Sequence, residues 1–259
     1  MLKKGLSQHL IKDKNLLRKI VRLSGVTGED TIVEIGAGHG DLTRCLADKA
    51  KSLCAVELDR SFSRYLDPLE REFDNVRIVY GDFLKTPLAQ FREEKNIKVV
   101  GNIPYKITGP IVVKILKERA VVESAHLLMQ KEIAQRIVSK SHRKEYGALS
   151  ANCQIFADVK ILTYVKPEVF IPPPKVDSAL LSLFFKEMEE PTDNSLIDFV
   201  RTCFENKRKH LRYTLVKRYG QEKTARLYER MGFPHAVRAE EIEPDKFKEM
   251  YSLLEEADN

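Results

Sequence analysis

The fold of this 259-residue chain is decided by Thr31-Ile32-Val33-Glu34-Ile35-Gly36-Ala37-Gly38-His39-Gly40. A β-branched run, then closely spaced glycines, then a helical pattern from Asp41 predicts a strand, a loop and a helix, which is how a doubly wound α/β sheet begins. Gly36 and Gly38 let the backbone approach a bound nucleoside closely. Their alternate spacing departs from the Gly-x-Gly-x-x-Gly pyrophosphate motif, and no Lys followed by Ser or Thr completes a phosphate-binding loop.

Three later apolar strands are each followed by a polar residue. The strands and these residues are Ser52 to Val56 with Glu57, Val76 to Tyr80 with Asp82, and Lys98 to Val100 with Asn102. Because the carboxyl ends of parallel strands share one edge of a sheet, these polar side chains are expected to lie together. Glu57 can accept both hydroxyls of a ribose, and Asp82 can meet an adenine amine. One such acid could equally be a helix N-cap, but several in register predict a site for a nucleoside without a pyrophosphate, which fits S-adenosylmethionine.

The tetrapeptide Asn102-Ile103-Pro104-Tyr105 fits the methylation of an exocyclic amine. The amine of adenine is a poor nucleophile because its lone pair is delocalised into the ring. The Asn102 side-chain carbonyl and the backbone carbonyl of Ile103 or Pro104 can each accept one amine hydrogen as charge develops in the transition state. Tyr105 can stack on the base. The alternative is an ordinary Asn-x-Pro turn with no chemical role.

These motifs together resemble those of the ribosomal RNA adenine dimethyltransferases, over nearly the whole chain. The resemblance also includes Gly5-Leu6-Ser7-Gln8-His9-Leu10 and Phe170 to Ala179. It implies a Rossmann-like class I methyltransferase sheet and a flipped adenine that is dimethylated by two successive transfers from S-adenosylmethionine, which becomes S-adenosylhomocysteine. The implied cofactor contacts are His9, Leu10, Gly36, Glu57, Asp82 and Asn102. Two positions depart from the family pattern: Leu10 replaces an aromatic residue, and Lys106 replaces a small polar one and is a candidate phosphate contact.

The branch of this family is indicated by residues downstream of the tetrapeptide. Pro172 to Ala179 resembles the small-subunit form, with Asp177 and Ala179 the most telling positions. This resemblance implies two adjacent adenines in a stem-loop of small-subunit ribosomal RNA, modified within a pre-ribosomal particle. The large-subunit resistance methyltransferases share the tetrapeptide and remain the alternative.

The order of patterns along the chain predicts two domains with a boundary near residue 190. Residues 1–190 are expected to form the S-adenosylmethionine-binding catalytic domain, and residues 191–259 a helical RNA-binding domain. The predicted helices of the second domain are Leu196 to Phe204, Lys207 to Tyr219, Gln221 to Met231 and Pro244 to Leu254. In the first domain, strands at Val159 to Val165 and Ser178 to Phe185 flank Phe170-Ile171-Pro172-Pro173-Pro174, which is predicted to be a rigid loop outside any strand ladder. Phe170 is expected to face Tyr105 across the target base, with a core position as the alternative.

Charge favours a polyanionic partner, since the net charge is +6 and the isoelectric point is about 9.0. The basic residues concentrate in residues 1–22 and 201–218. Candidate phosphate contacts in the second run are Lys207, Arg208, Lys209 and Arg212. The alternative for such a run is an ordinary solvated helix face.

The cysteine and hydropathy patterns indicate the cellular compartment and argue against some kinds of site. The four cysteines lack Cys-x-x-Cys spacing, which predicts reduced thiols in the cytoplasm and argues against a disulfide or zinc framework. The six histidines are dispersed, so no catalytic metal is expected. No apolar run approaches the ~18 residues that a membrane span needs, so no membrane partner is expected. The protein is expected to be a monomer.

Three other functional classes are alternatives. The first is an amine methyltransferase acting on DNA adenine or protein glutamine, although Ile103 breaks the Pro-Pro pattern more typical of those enzymes. The second is a nucleic-acid-binding relative that keeps the fold without catalysis, and the third is an NAD-dependent oxidoreductase, which the glycine spacing disfavours.

Overall fold

The structure is a computed structural model that describes residues 9–187, 194–207 and 209–255. The chain forms two compact units. The first comprises the described residues up to Ala134 together with Asp158–Phe185, and the second comprises Gln135–Ala157 and the described residues from Lys186 onward. The boundary predicted near residue 190 lies outside the described residues. In the structure Gln135–Ala157 also belongs to the second unit. The chain therefore enters that unit twice, and a single boundary cannot separate the two units.

Nine strands are found in the described residues. They are β1 Leu10–Ile11, β2 Thr31–Ile35, β3 Ser52–Glu57, β4 Val76–Tyr80, β5 Ile97–Asn102, β6 Val122–Gln130, β7 Ala157–Val165, β8 Phe170–Ile171 and β9 Ser178–Phe185. Seven of them form one sheet in the order β4-β3-β2-β5-β6-β9-β7. Strands β2 to β6 run parallel, and β9 is antiparallel to β6.

The strand order reverses direction next to β2, which lies between β3 and β5. Such a switch point leaves a crevice at the carboxyl ends of the two central strands, where open α/β sheets bind ligands. All five residues of β2 are buried, as expected for a central parallel strand covered on both faces. The predicted α/β sheet is therefore confirmed, with the glycine loop and Asn102 at its switch point.

Helices cover the sheet and build the second unit. They are α1 Lys14–Leu23, α2 Asp41–Ala47, α3 Ser63–Glu72, α4 Thr108–Lys117, α5 Lys131–Ile137, α6 Ala148–Phe156, α7 Ser195–Cys203, α8 Leu211–Tyr219, α9 Gln221–Met231 and α10 Pro244–Glu255. Helix α1 illustrates how the sequence sets them. The Asp13 carboxylate accepts the backbone N–H groups of Asn15 and Leu16 at its start, and an apolar stripe that includes Leu16 and Ile20 is buried.

The second unit is held by an aromatic core. The ring of Phe204 lies 5.8 Å from those of both Tyr146 and Phe247. The Tyr146 hydroxyl donates to the Ile242 carbonyl at 3.0 Å, so the polar end of this buried side chain is satisfied. From residue 194 onward the described part of the chain contains helices and turns but no strand, as predicted.

Two sequence-based expectations are corrected. Phe170 and Ile171 do join a ladder, because β8 pairs antiparallel with β1, with Leu10 opposite Ile171 and Ile11 opposite Phe170. The helix predicted from Lys207 begins only at Leu211. His210 has extended backbone angles, and the Leu211 N–H donates to the Val237 carbonyl at 2.8 Å, so the preceding residues do not continue the helix.

Candidate active site

The glycine loop follows β2 and needs the absence of a side chain. Gly36 and Gly38 have φ angles of +73° and +55°, in the left-handed region that favours glycine. A Cβ atom on Gly38 would also lie 2.6 Å from the Leu10 side chain. Strand β1 therefore packs directly on the glycine loop, and Leu10 contributes to the same cavity as both glycines.

Glu57, the last residue of β3, holds this loop in place. Its buried carboxylate accepts the Gly38 N–H at 3.0 Å through one oxygen and the Asp59 N–H at 2.8 Å through the other. Burial raises the pKa of Glu57, and the backbone hydrogen bonds oppose that rise. Each carboxylate oxygen keeps a second lone pair that can accept a further hydrogen bond.

Asp82 lies two residues beyond the end of β4. Its Oδ1 accepts the Leu84 N–H at 2.9 Å and caps the 3-10 turn Phe83–Lys85. None of the described residues donates a hydrogen bond to its Oδ2. The N-cap alternative considered from the sequence is thus present, and it leaves one oxygen available to a ligand in the cavity that Asp82 lines.

Asn102 ends β5, and its amide is fixed by the backbone of the N-terminal segment. The Asn102 Nδ2 donates to the His9 carbonyl at 2.6 Å. None of the described residues donates to Oδ1, so the side-chain carbonyl remains a free acceptor in the cavity. The sequence indicated Asn102 but not this anchor, because a backbone carbonyl far away in the chain carries no sequence signal.

The two candidate backbone carbonyls after Asn102 differ in their partners. The Pro104 carbonyl already accepts the Ile107 N–H at 3.2 Å. The Ile103 N–H donates to the Leu128 carbonyl at 3.0 Å, whereas the Ile103 carbonyl accepts no hydrogen bond from the described residues. Ile103 therefore offers the less occupied acceptor.

Tyr105 is held at both ends. Its hydroxyl shares a 2.6 Å hydrogen bond with the Ser178 hydroxyl, and its ring centroid lies 5.3 Å from that of His9. The His9 Nδ1 in turn donates to the Pro172 carbonyl at 2.7 Å. Ser178 and Pro172 were quoted as parts of a family motif, but their contacts with Tyr105 and His9 required the fold.

Phe170 does not occupy the position expected for it. Its side chain is 1% exposed and belongs to the hydrophobic core. The two-residue strand β8 alternates, so that Phe170 points inward while Ile171 is exposed. In this structure Phe170 therefore takes the core position that was the alternative, and it does not face Tyr105 across an open base site.

All seven predicted cofactor residues line one cavity. The lining includes His9, Leu10, Gly36, Gly38, Glu57, Asp82, Asn102, Pro104, Tyr105 and Lys106. Apolar contacts to this cavity come from Phe62, Phe83, Ile103 and Ile111, among others. The arrangement combines two carboxylates, a free amide carbonyl and an aromatic ring within an apolar surround, which suits a nucleoside ligand.

The basic residues of the second unit fall into different environments. The Lys207 ammonium forms an ion pair with Glu240 at 3.2 Å and donates to the carbonyls of Lys144 and Tyr146 at 2.9 and 2.7 Å. Lys209 lies 3.9 Å from the centre of the Tyr213 ring. Arg212 lies 5.4 Å from that of Tyr228. Arg208 lies outside the described residues.

Comparison with known proteins decides the family. The sequence matches the model of ribosomal RNA adenine dimethylase over residues 1–256. The ribosomal RNA small subunit methyltransferase A of Mycoplasmopsis synoviae (strain 53) is 37% identical over 255 residues, which cover 97% of this chain and 96% of that protein. The chain belongs to the ribosomal RNA adenine dimethylase family. The predicted family and enzyme class are thereby confirmed.

Solved structures agree with the fold of this dimethylase. A dimethyladenosine transferase from Plasmodium falciparum is similar with a TM-score of 0.80 and 26% identity, covering 96% of this chain and 98% of that chain. The 23S rRNA methyltransferase ErmE gives a TM-score of 0.69 at 23% identity, covering 95% and 99%. At that identity ErmE shares the fold alone.

The described residues also bear on membrane spans, metal sites and disulfides. No helix in 9–187, 194–207 or 209–255 is long and apolar enough to span a membrane. No group of three His, Cys, Asp or Glu in these ranges could hold a metal ion. All four cysteines of the dimethylase are free thiols.

Proposed function

We propose that this dimethylase transfers two methyl groups to the exocyclic amine of each of two adjacent adenines in a stem-loop of small-subunit ribosomal RNA. The observation that carries the proposal is the anchored amide of Asn102. Its Nδ2 is committed to the His9 carbonyl, so its Oδ1 is left to accept a hydrogen from the target amine. That acceptor lines the same cavity as the two carboxylates that suit a nucleoside cofactor.

The cofactor is S-adenosylmethionine, and the chemistry of the cavity fits it. Glu57 keeps lone pairs for the ribose hydroxyls, and Asp82 keeps Oδ2 for the adenine amine. Leu10 and the glycine loop form the surface against which the nucleoside lies, with His9 as a further contact. When bound, S-adenosylmethionine supplies an electrophilic methyl group on a positively charged sulfonium. The residues of the cavity need no metal ion for this chemistry.

The chain activates the amine by hydrogen bonding and not by a strong base. Asn102 Oδ1 and the Ile103 carbonyl accept the two amine hydrogens, which favours the pyramidal nitrogen of the transition state. Positioning and preorganised dipoles therefore carry the rate enhancement. The methylated amine is cationic and acidic, so water can remove its proton. A cavity that still admits the monomethyl product allows a second transfer.

The target base stacks on the Tyr105 ring beside His9. The His9 ring is tilted by 32° to the Tyr105 ring at a centroid separation of 5.3 Å, so His9 already packs against Tyr105. Phe170 is buried in the core, so a stacking role for it would require β8 to move. The adenine must leave its RNA stack to reach this site, as bases do in other base-modifying enzymes.

The RNA is held by residues 191–259 and by cations near the cavity. Lys106 lines the cavity mouth and suits a phosphate. Lys209, with its ammonium over an exposed tyrosine, is the second candidate contact. Arg208 and Arg212 remain candidates from the basic run. A monomer acting in the cytoplasm on a pre-ribosomal particle is consistent with free thiols and with a basic surface that grips structured RNA.

The small-subunit target is favoured over the large-subunit alternative by the segment Pro172 to Ala179. Asp177 within it forms ion pairs with Lys166 at 3.2 Å and with Lys131 at 3.5 Å. The hydrogen bond from Lys166 is the main reason that the pKa of Asp177 is lowered. This charge network flanks the Ser178 that fixes Tyr105. The curated relative from Mycoplasmopsis synoviae is also a small-subunit enzyme by name.

The experiment is methyl transfer from labelled S-adenosylmethionine to three substrates. These are undermethylated small subunits, mature large subunits and protein-free large-subunit RNA, followed by mapping of the modified base. We expect label on two adjacent adenines of small-subunit RNA. Label mainly in large-subunit RNA would show that the proposed target is wrong. If none of the three substrates is methylated, the proposed activity is wrong.

A further inference from the structure

A second cleft lies on the helical unit, apart from the cavity described above. It is lined by His210, Arg212, Tyr213, Val216, Lys217 and His235. Tyr213 and Lys217 lie one turn apart on α8, on the same face of the helix. Tyr213 is 49% exposed, so part of its ring is open to a ligand.

The walls of this cleft are fixed with respect to each other. The loop that carries His235 is tied to the start of α8 by the hydrogen bond from the Leu211 N–H to the Val237 carbonyl. The same loop is closed by a 3.1 Å bond from the Val237 N–H to the Pro234 carbonyl. The cleft is thus preformed, and a ligand that enters it need not order the backbone.

The charge of the cleft has a single sign. Arg212 and Lys217 are cations in its lining, and none of the described residues that line it carries a carboxylate. None of the described residues forms an ion pair with Lys209, Arg212 or Lys217, in contrast to Lys207, whose ammonium is engaged by Glu240 and two carbonyls. Lys209 covers one face of the Tyr213 ring at 3.9 Å.

We propose that this cleft binds one unpaired RNA nucleotide, with its base stacked on the face of Tyr213 that Lys209 does not cover and its phosphate on Lys217. An aromatic platform beside cations is the general means by which proteins hold single-stranded nucleic acid without reading its sequence. The proposal rests on ribosomal RNA being the substrate of this dimethylase. It adds a second RNA contact that is independent of the adenine under methylation.

The test uses the absence of tryptophan from the chain. In the variant Tyr213→Trp the indole is the only one present, and it keeps an aromatic platform. We expect its emission to fall when a short single-stranded RNA is added. Inorganic phosphate and a duplex of the same nucleotide content should leave it unchanged, because neither offers a free base face. Binding of the single strand seen by anisotropy without any change in emission, or no binding at all, overturns the proposal.

Affinity for undermethylated small subunits supplies a second measurement. Tyr213→Ala should weaken binding by roughly 5- to 100-fold, while Tyr213→Phe retains it. The matched control is Tyr164→Ala, since Tyr164 is 54% exposed and also has a lysine, Lys131, 5.4 Å from its ring centre. Equal losses in Tyr213→Ala and Tyr164→Ala, or wild-type binding by Tyr213→Ala, would contradict a specific platform.

The two proposals fail separately. If the wild-type protein methylates no small-subunit adenine, the proposed function is wrong, yet the indole signal still reports on the cleft. If methylation proceeds and the indole emission does not respond to bound single strand, only the nucleotide cleft is wrong.

Discussion

The side-chain amide of Asn102 donates from Nδ2 to the backbone carbonyl of His9 at 2.6 Å. This bond joins the end of β5 to the residue just before β1, and it decides which end of the amide faces the cavity. His9 is itself held, because its Nδ1 donates to the Pro172 carbonyl at 2.7 Å. The acceptor proposed for the target amine is therefore oriented by a chain of contacts through the N-terminal segment, and not by β5 alone.

Replacing Asn102 by alanine should remove most methyl transfer and leave S-adenosylmethionine affinity within a few-fold. The lost acceptor acts mainly in the transition state, and such a loss typically costs ~3 kcal/mol, roughly a hundredfold in rate. Single-turnover methylation and calorimetry on the same variant separate the two effects. Near wild-type turnover on RNA would mean that the amide does not contact the amine.

Replacing the carboxylates should have the opposite effect: the affinity for the cofactor should fall more than the rate of methyl transfer. Glu57→Ala and Asp82→Ala each remove a charged hydrogen-bond acceptor, which costs about 1–3 kcal/mol of binding. Glu57→Ala should also lower thermal stability, because the Gly38 and Asp59 N–H groups lose their acceptor. Asp82→Ala serves as the comparison, since only Leu84 loses a partner. Unchanged affinity in both variants would move the cofactor elsewhere.

The sequence predicted most of this site because strand ends and glycine spacing are local signals. Each strand from β2 to β5 ends within two residues of the site residue expected to follow it, since β-branched runs fix where a buried strand lies. The position of Phe170 in this structure depends on information of another kind. Its proline-rich surroundings predict a loop, and only the pairing of β8 with β1, about 160 residues away in the chain, turns its ring into the core.

Glu34, in the centre of β2, should make stability depend on pH. It is fully buried, and burial raises its pKa to about 8 from an ordinary value of 4.5. Between these values the folded state binds a proton that the unfolded state has lost, so the free energy of unfolding falls as the pH rises. The slope from one such group is about 1.4 kcal/mol per pH unit.

Glu34→Gln cannot titrate and should lack this slope. Urea unfolding of the variant and of the wild type, at several pH values across the window, should show the variant gaining relative stability as the pH rises. Glu145→Gln, at an exposed position, is the control for removal of a carboxylate as such. Parallel curves for Glu34→Gln and wild type would show that Glu34 does not carry a proton in the folded state.

The last prediction distinguishes Lys207 from Lys209. By charge alone, both lysines are equally good candidates for phosphate contacts. Lys207 is bound to Glu240 and to the carbonyls of Lys144 and Tyr146, so it links three segments of the helical unit. Lys207→Ala should therefore lower the free energy of unfolding by about 1–3 kcal/mol, the usual cost of losing hydrogen bonds to a charged group. It should leave the salt dependence of RNA binding nearly unchanged.

Lys209→Ala should behave in the reverse manner. Its ammonium contacts only the Tyr213 ring among the described residues, so stability should stay near that of the wild type. If Lys209 neutralises one phosphate of an unpaired strand, the log–log salt slope should become shallower by about 0.7. Denaturation curves and binding at several salt concentrations, measured on both variants, give the four values needed. If Lys207→Ala made the salt slope of RNA binding shallower and left stability unchanged, Lys207 would be a phosphate contact, as its charge alone suggests, and the structural role assigned to it would be wrong.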